Sequence, residues 1–472
     1  MAFLIGGANS AADTGYNVDN SCRFNDGDSP SMNKTASSGN TQHGTFSAWV
    51  KRGPTGDEHR VINAFIDGNN FTSIAFRTDD TIEIIHQDSG STTYRKITTA
   101  VYRDPSAWMH LCVIFDLDDG TAEDRVKLFV NGTRVTVFGT NTNPGDASKT
   151  MDYNNSSATL NIGQMETDNY FDGYMAEVVW IDGLALAATS FGEFDEDSPT
   201  IFKPIDVSGL TFGTNGFYLD FEDSSNLGND VNGGTDLTET NLAATDQTSD
   251  TCTNNFATLN SLDTYYVQGT LSEGNCKYVG TNEKYDFVMS TIMPTAGKWY
   301  CEAKYLAGNS DNGIVGISGD SMLALQDYLG EYAGHIGYIG NGGRSIVGGT
   351  FTSNFTAYTH DDIIGMAMDL DNMKMYFAKN GTWGNSGDPT SGATGTGAIT
   401  IQALSTVQHN AYGFAVCSFD SDDADEWFIN FGNPPYANSS SAADANGYGD
   451  FEYAPPSGYL ALCTKNLGST GG

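Results

Sequence analysis

The most constraining feature of this sequence is the alternation of apolar and polar side chains at every second residue across many short segments. Residues 44–50 (Gly-Thr-Phe-Ser-Ala-Trp-Val) alternate in this way, and so do residues 298–305 (Lys-Trp-Tyr-Cys-Glu-Ala-Lys-Tyr). This is the repeat of a β-strand, whereas an amphipathic helix needs a repeat of about 3.6 residues. The best helical candidate, residues 184–194, is short. We therefore predict an all-β protein.

Tight turns separate the predicted strands. Asn131-Gly132 follows the strand signal at 125–130, and Asn380-Gly381 follows the one at 374–379. An Asn-Gly pair between apolar runs is typical of a two-residue β-hairpin turn. The 55 glycines against 12 prolines, with 12% aromatic residues, fit the same pattern of short strands and tight turns.

The strand signals fall into two regions with a loose, polar stretch between them. A chain of 472 residues is too long for one ordinary sandwich. We predict two β-sandwich domains in tandem. The chain divides into an N-terminal arm (1–19), a first sandwich (20–228), a connector (229–255), a second sandwich (256–465) and a C-terminal tail (466–472). The tryptophans expected in the cores are Trp49, Trp108, Trp180, Trp299 and Trp427.

The charge balance restricts the partners of this protein. The formal net charge is −37, from 22 basic and 59 acidic residues. Such a surface repels phosphate backbones and anionic bilayers, so neither nucleic-acid binding nor membrane insertion is expected. Solubility in a salty medium explains the charge directly, because salt screens self-repulsion. Attraction of a cationic partner or of divalent ions is the alternative.

The cysteines and the first residues indicate where the chain is made. The seven cysteines include no Cys-x-x-Cys pair, and several lie in apolar strand context, as Cys112 and Cys463 do. We expect buried thiols made in a reducing cytoplasm and no zinc site. Residues 1–8 lack the basic region and the long apolar run of a signal peptide, and no stretch is apolar enough to span a membrane.

Four motifs in the first region resemble the laminin-G-like, concanavalin-A-type jelly-roll family. Together they cover about residues 20–225, and they stand in the order that the family has. The motifs are Phe46-Ser47-Ala48-Trp49-Val50, Trp108-Met109-His110, Val126-Lys127-Leu128-Phe129-Val130-Asn131-Gly132 and Phe171-Asp172-Gly173-Tyr174-Met175-Ala176-Glu177-Val178. The resemblance implies a laminin-G-like sandwich for the first domain.

The second region, about residues 256–465, resembles the SPRY (B30.2-type) family. The resemblance implies a second sandwich with a recognition face made of loops. The matching segments are Gly297-Lys298-Trp299-Tyr300-Cys301-Glu302, Ile364-Gly365-Met366-Ala367-Met368-Asp369-Leu370-Asp371, Tyr376-Phe377-Ala378-Lys379-Asn380-Gly381, Ile429-Asn430-Phe431-Gly432 and Pro455-Pro456-Ser457-Gly458-Tyr459.

The combination also resembles structural proteins of marine tailed phages. The likeness lies in residues 1–7, in residues 215–221 together with 254–259, and in residues 458–463. It implies a non-enzymatic virion protein (a tail fibre, head fibre or capsid decoration) that is made in the host cytoplasm. Its expected partners are other virion proteins and a host-surface glycan or protein, and a homo-oligomer is expected. A polysaccharide-active hydrolase and an intracellular adaptor that binds protein through the SPRY face are the alternatives.

The candidate binding residues are aromatic residues of predicted loops, where they can stack on a sugar ring or fill a partner's pocket. The segment 327–344 has the Tyr, His, Gly and Asn composition of antibody-like binding loops. The candidates are Tyr328, Tyr332, His335, Tyr338 and Trp383. Each of them alone could equally fill a core or a turn.

Calcium is the one cofactor that the sequence suggests, and none is required. Asp168, Asn169 and Asp172 offer oxygen ligands at close spacing, and Asp116, Asp118 and Asp119 crowd another turn. The first group is the preferred site, because the laminin-G-like family often carries calcium on its rim. Asp and Asn also favour turns for conformational reasons alone.

A hydrolase would need two carboxylates on one face of a sheet. Glu83 and Glu177 are the candidates, but each is solitary within its strand. No nucleophile elbow, phosphate-binding loop or dinucleotide fingerprint is present. The sequence therefore favours a binding protein over an enzyme.

Overall fold

The computed structural model describes residues 4–5, 15–146, 148–165, 168–263, 269–281, 285–308, 311–320, 327–419 and 424–469. The chain forms two compact units. One is Ala11–Thr253, called here the N-terminal unit, and the other is Asn254–Gly472 with Met1–Ser10, called the C-terminal unit. Each is built on two β-sheets, so the prediction of an all-β fold with two sandwiches is confirmed. Among the residues described, no helix is both long and apolar enough to cross a membrane.

The first strand, β1 (Leu4–Ile5), belongs to the C-terminal unit. The strands of the N-terminal unit are β2 (Ser21–Phe24), β3 (Ser31–Thr35), β4 (His43–Arg52), β5 (His59–Asp67), β6 (Asn70–Phe76), β7 (Ile82–Asp88), β8 (Ser91–Thr98), β9 (Met109–Asp116), β10 (Val126–Val130), β11 (Thr133–Arg134), β12 (Phe138–Thr142), β13 (Thr159–Ile162), β14 (Gly173–Asp182), β15 (Gly192–Phe194), β16 (Phe202–Pro204), β17 (Phe217–Leu219), β18 (Thr238–Thr240) and β19 (Gln247–Thr248).

Two sheets make up the sandwich of the N-terminal unit. Sheet A has the order β11-β10-β9-β4-β14-β2-β19, with β17 also paired to β14, and sheet B has the order β12-β8-β7-β6-β5-β13-β3-β18. Phe46, Ala48 and Val50 of β4 point into the core between the sheets, while Trp49 lies in a separate cluster on the outer face of sheet A. The two-residue repeat of β4 therefore places alternate side chains in the core between the sheets and on the outer face of sheet A.

Residues 229–255, predicted as an irregular connector, contain two short strands of this unit. β18 pairs with β3 and β19 pairs with β2. Further along, the Thr251 hydroxyl donates to the Val18 carbonyl at 2.8 Å, which fixes part of the predicted arm as well. These edge strands are polar, so they lack the apolar alternation by which the central strands were recognised.

The short helix considered for residues 184–194 does not form. This stretch instead contains a 3₁₀-helix at Ala188–Ser190 followed by β15. Ala188 and Phe191 pack with Val207 and Phe212 on the outer face of sheet A, so burial there determines the local conformation. The other 3₁₀-helices among the described residues are Asp26–Asp28, Ala122–Asp124, Ala244–Asp246, Pro389–Thr394 and Leu404–Thr406.

Gly216 shows how closely the backbone packs where β17 begins. A Cβ at this position would lie 1.9 Å from the Phe212 carbonyl oxygen and 2.7 Å from that of Trp180. We expect Gly216→Ala to lower the free energy of unfolding of the N-terminal unit by about 1–3 kcal/mol, because the backbone must move to admit the methyl group. Chemical denaturation measures the loss. Gly209→Ala is the matched control, since a Cβ there meets nothing within 4 Å, and equal losses in the two variants would contradict the packing argument.

The C-terminal unit contains the remaining strands and one short helix. They are β20 (Thr270–Ser272), β21 (Lys277–Val279), β22 (Asp286–Met289), β23 (Ile292–Met293), β24 (Lys298–Ala307), β25 (Ile314–Ser318), β26 (His335–Ile339), β27 (Arg344–Val347), β28 (Thr350–Ser353), β29 (Ile363–Asp369), β30 (Lys374–Lys379), β31 (Thr382–Trp383), β32 (Ile399–Thr400), β33 (Gly413–Ser418), β34 (Glu426–Asn430), β35 (Leu460–Ala461) and α1 (Thr464–Ser469).

Sheet C has the order β20-β21-β34-β24-β29-β30-β31, and sheet D has the order β22-β33-β25-β26-β27-β28. Strands β32 and β35 pair with β30 and β24, and β1 pairs with β23 in parallel. Trp299, Cys301 and Tyr305 of β24 face the core between the sheets. Tyr300, on the opposite face, is buried beneath residues 451–463 of the C-terminal segment.

The tryptophan predictions hold with one correction. Trp49, Trp180, Trp299 and Trp427 are at most 5% exposed, but Trp108 is only partly buried. Trp108 packs against the outer cluster of sheet A, and its indole N–H donates to the Asp250 carboxylate. The hydrogen bond to Asp250 explains why the Trp108 ring lies outside the core between the sheets. All seven cysteines are free thiols, and six of them are buried.

Candidate binding cleft

The five predicted binding aromatics occupy different environments. Tyr328 is half-buried in the loop before β26, and Tyr332 is 39% exposed. His335 and Tyr338 lie in β26 and are buried, at 0% and 1% exposure. Trp383 is half-buried at the end of β31. Burial within a strand limits what His335 and Tyr338 can offer to a ligand directly, but Tyr338 lies in the wall of a cleft that Trp383 also lines.

This cleft, called the aromatic cleft below, has a volume of about 260 Å³. It is lined by Tyr338, Phe355, Thr356, Phe377, Lys379, Thr382, Trp383 and Gly384. The rings of Tyr338, Phe355 and Phe377 pack together, with centroids 4.8 to 5.6 Å apart. Trp383 joins them as the fourth aromatic residue of the wall. The cleft is therefore an aromatic hollow in a strongly acidic protein.

The Asn-Gly turn predicted from the sequence positions Trp383. Asn380 and Gly381 have φ angles of +48° and +75°, as a type I′ turn requires at both central residues. The turn pairs Lys379 with Thr382 and Ala378 with Trp383. The hairpin thus holds the indole beside the end of β30 without help from a long loop.

Polar groups surround the aromatic floor. The Lys379 ammonium donates to the Ala357 carbonyl at 2.9 Å and pairs with Asp362 at 2.8 Å. Burial alone raises the pKa of Asp362, but hydrogen bonds from Lys379, the Thr359 backbone N–H and Asn380 outweigh it and hold that pKa below its usual range. Lys379 is therefore held in place with its charge balanced.

Thr356 and Thr382 are exposed beside the floor and offer hydroxyl groups. Tyr338 donates its own hydroxyl to the Thr356 carbonyl and is thereby fixed in the wall. A floor of rings with hydroxyl and amine groups around it suits a flat ligand that has one apolar face and several hydroxyl groups. A pyranose ring has this character.

Sequence reasoning had not selected Phe355, Phe377, Lys379 and Thr382 as site residues. Phe355 lies in the polar stretch 351–356 (Phe-Thr-Ser-Asn-Phe-Thr), where an aromatic residue outside a strand was the available signal. Lys379 and Thr382 flank the Asn-Gly pair and looked like ordinary hairpin residues. Lys379 and Thr382 become site residues because the fold places them in the lining of the same cleft as Phe355.

A second cleft of about 240 Å³ lies in the N-terminal unit and is basic. Its lining includes Lys96, Lys127 and Arg134. Each has an acidic partner, since Lys96 lies 3.5 Å from Glu123, Lys127 lies 3.6 Å from Asp116, and Arg134 lies 2.6 Å from Asp124. The charge of this cleft is therefore balanced internally.

The residues predicted to bind calcium remain a prediction. Asp168 is exposed and accepts from the Asn169 backbone N–H at 2.8 Å, and Asp172 is buried at 1% exposure. Asn169 adopts a left-handed φ of +56°, which Asn tolerates well in a turn. Residues 166–167 of this loop lie outside the described part of the chain.

The other acidic turn forms a closer cluster. Ligating atoms of His43, Asp116 and Asp118 lie within 4.8 Å of one another. The His43 Nε2 is 2.8 Å from Asp118 and 3.4 Å from Asp116, and Lys127 also approaches Asp116. The His43 contact with Asp118 is a hydrogen bond, and Lys127 pairs with Asp116, so contacts within the protein account for the cluster.

The two candidate catalytic glutamates lie on opposite outer faces of the N-terminal unit. Glu83 in β7 of sheet B is 4% exposed and lies 2.6 Å from Arg95 and 3.2 Å from Arg77. Glu177 in β14 belongs to sheet A. The core of the sandwich separates the two, so they do not form the pair of carboxylates that glycoside hydrolysis requires.

Glu177 occupies an unusual position of its own. It has a φ of +50° at a β-bulge between Ala176 and Val179, and it is 6% exposed. Its Oε2 accepts hydrogen bonds from the hydroxyl groups of Tyr218 at 2.8 Å and Tyr16 at 3.0 Å. Burial raises the pKa of Glu177 to about 7, although the two tyrosine hydrogen bonds act in the opposite direction.

Comparison with known proteins identifies one family match. Residues 25–189 match the family model Laminin_G_3, the concanavalin A-like lectin/glucanases superfamily. This segment lies inside the region 20–228 for which the resemblance to that family was inferred. No curated protein matches the chain.

Similar solved structures share little sequence with this chain. The SPRY domain of human HERC1 is 13% identical, with a TM-score of 0.29 over 36% of this chain and 96% of that one. A SAP-like pentraxin from Limulus polyphemus is 18% identical, with a TM-score of 0.27 over 36% and 78%. A putative carbohydrate binding protein from Bacteroides ovatus is 15% identical, with a TM-score of 0.33 over 48% and 58%. The family match covers residues 25–189 of the N-terminal unit and is to a superfamily that includes both lectins and glucanases.

Proposed function

We propose that this chain is a non-enzymatic structural and adhesive protein of a bacteriophage virion that binds a host-surface glycan. The observation that carries the glycan part is the aromatic cleft, in which Tyr338, Phe355, Phe377 and Trp383 form a wall beside polar side chains. Aromatic faces stack on the apolar face of a sugar ring, and nearby donors bind its hydroxyl groups.

The size of the cleft suits a small part of a glycan. Its volume of about 260 Å³ is just below the ~300–1,000 Å³ typical of small-molecule pockets. One sugar ring, at a chain end or a branch, is therefore the expected occupant. Trp383 and Phe355 would stack against it, and Lys379, Thr356 and Thr382 would bind its hydroxyl groups.

The virion part of the proposal is supported by the resemblance of residues 1–7, 215–221, 254–259 and 458–463 to structural proteins of marine tailed phages. The tail fibre, the head fibre and the capsid decoration are the expected positions, with other virion proteins and further copies of this chain as neighbours. The lectin-type fold of residues 25–189 suits adhesion, and calcium at Asp168, Asn169 and Asp172 would be an additional ligand of that unit.

Trp383→Ala is expected to weaken glycan binding about tenfold, because the loss of one stacked ring is worth about 1.4 kcal/mol. The full-length protein should first be screened on an array of bacterial lipopolysaccharides and algal polysaccharides. The best-binding polysaccharide is then titrated calorimetrically against wild type and variant. Tyr332→Ala is the matched control, since Tyr332 is exposed but does not line the cleft.

Three outcomes would contradict the proposal in whole or in part. Binding that is unchanged in Trp383→Ala but lost in Tyr332→Ala would move the site to the loop before β26. A wild-type protein that binds no polysaccharide on the array but captures a host protein would favour the adaptor alternative. Polysaccharide turnover that disappears in Glu177→Gln or Glu83→Gln would favour the hydrolase.

The virion assignment has a test that does not depend on the ligand. Purified phage particles are analysed by mass spectrometry and by electron cryomicroscopy for density that matches both sandwiches. We expect the chain in the particle, in several copies at each attachment position. Its absence from particles in which other structural proteins are detected would overturn the assignment while leaving the glycan site open to its own test.

A further inference from the structure

An ion pair in the N-terminal unit is completely enclosed. The Lys51 ammonium lies 2.7 Å from Oδ2 of Asp250, and both side chains have 0% exposure. Both partners of this ion pair are fully buried. In the other ion pairs identified among the described residues, at least one partner has some exposed surface. Burial of two charges is costly, because each loses its hydration and only their mutual attraction replaces it.

The surroundings hold the two groups in a fixed arrangement. The Trp108 indole N–H donates to Oδ1 of Asp250 at 2.9 Å, and the Lys51 nitrogen lies 5.6 Å from the centre of the Tyr174 ring. The Ser21 hydroxyl donates to the Asp250 carbonyl at 2.6 Å, which anchors the backbone of the aspartate. The amine and the carboxyl group are therefore held together, out of contact with water, between two aromatic rings.

We propose that Lys51 and Asp250 are joined by an intramolecular isopeptide bond that the folded chain forms by itself. The juxtaposition of a lysine amine and an aspartate carboxyl group in a dry, aromatic-lined site carries this inference. Intramolecular reactions between well-oriented groups reach effective concentrations of about 10⁵ M or more, and the fixed contact favours such a reaction. Conversion to a neutral amide also removes the two buried charges.

The reaction is a condensation that needs no other reactant. A proton passes from the Lys51 ammonium to Oδ2 of Asp250, which leaves a neutral amine beside a neutral carboxylic acid. The Nζ lone pair then attacks Cγ, and a new Nζ–Cγ bond forms as the negative charge develops on Oδ1. Collapse of this tetrahedral species breaks the Cγ–Oδ2 bond. Oδ2 departs as water with a second proton from Nζ, so one ammonium and one carboxylate give one amide and one water.

Trp108 has a specific part in this scheme. Its N–H group already points at Oδ1, which is the oxygen that becomes negative in the tetrahedral species. A donor fixed at this position stabilises the developing charge without reorganising. Trp108 thus acts as an oxyanion donor, and its unexpected place outside the core is explained by this contact.

The bond would tie the central strand β4 to the segment that follows β19. These two residues are 199 positions apart in the chain. A cross-link across so long a loop restricts the unfolded chain strongly and would fasten the last segment of the unit to its main sheet. A protein that bears mechanical load at a surface would benefit from such a cross-link.

Intact-mass measurement of the full-length protein under denaturing conditions tests the proposal directly. We expect the wild-type mass to be lower than the sequence mass by one water, and tryptic mapping to yield one branched peptide that contains Lys51 and Asp250. Lys298 and Asp369, 3.0 Å apart with the lysine 25% exposed, form the internal control and should remain unlinked. A fully folded wild-type protein at its unmodified mass would overturn the proposal.

Two variants test the roles of Lys51 as the nucleophile and of Trp108 as the oxyanion donor. Lys51→Arg keeps a positive charge but removes the nucleophilic amine, so its mass should equal its sequence mass. Trp108→Phe keeps the ring but removes the donor, and the mass loss should then develop at least tenfold more slowly after refolding. An unaltered rate in Trp108→Phe would exclude the oxyanion role, and a mass loss retained in Lys51→Arg would exclude Lys51 as the linked residue.

Discussion

Replacement of Asp250 by alanine is expected to leave the N-terminal unit about 3–5 kcal/mol less stable than the double variant Lys51→Met/Asp250→Ala, which has no unpaired charge. The substitution leaves the Lys51 ammonium at 0% exposure without its carboxylate at 2.7 Å. A buried charge deprived of its partner cannot recover its hydration, so the folded state bears the full cost.

The double variant Lys51→Met/Asp250→Ala isolates this cost. Neither the single nor the double variant can form the proposed isopeptide bond, so the difference between them reports the stranded charge alone. We expect the double variant to be the more stable one. Hydrogen exchange measured by mass spectrometry on peptides from residues 15–253 gives the stability of this unit within the full chain. Equal exchange in both variants would show that Lys51 finds another way to balance its charge.

The contribution of Glu177 to the stability of the N-terminal unit is expected to fall as the pH rises from about 4.5 to 7. Burial raises the pKa of Glu177 from 4.5 to about 7. Over this interval the carboxyl group of Glu177 has lost its proton in the unfolded chain and keeps it in the folded chain, so the contribution of this group to the free energy of unfolding decreases with pH. A shift of this size corresponds to about 3 kcal/mol.

Neighbouring charged and polar groups also shift the pKa of Glu177. Asp206 and Asp220 raise its pKa through their negative charge, and Tyr16 and Tyr218 lower it through hydrogen bonds. Glu177→Gln mimics the protonated carboxyl group, so this variant should be more stable than wild type at pH 8 and nearly equal to it at pH 4.5. Denaturation at both pH values measures the difference.

Glu196→Gln is the control for this pH effect, because Glu196 is exposed in the same unit. It should leave the pH dependence unchanged. If Glu177→Gln shows the same pH dependence of stability as wild type, the carboxyl group of Glu177 does not contribute to it.

Much of the fold could be predicted because strands and tight turns have local sequence patterns. The alternation in β4 and β24 shows directly which side chains face a core, and the Asn380-Gly381 pair fixed a turn whose two φ angles are positive. The edge strands β18 and β19 escaped prediction, since a strand that is half exposed and polar has no apolar repeat to recognise.

The candidate site was predictable only in part. Trp383 was selected as an aromatic residue beside a turn, and Tyr338 as part of a Tyr-rich segment. Phe355 and Lys379 were not selected, because their value depends on the pairing of β30 with β31 and on where residues 354–356 pass it. His335 looked like a binding residue by composition, yet its strand places it in the interior.

The sequence by itself determined the strand-rich class, the acidic surface and the resemblance of about residues 20–225 to a laminin-G-like, concanavalin-A-type jelly roll, because each is a property of local pattern or composition. The tertiary structure alone decided that Tyr338 and Trp383 line one cleft, that Tyr16 reaches Glu177, and that Lys51 meets Asp250 across 199 residues. Such contacts depend on the order of strands in a sheet, which is set by the packing of the whole unit and leaves no local signal.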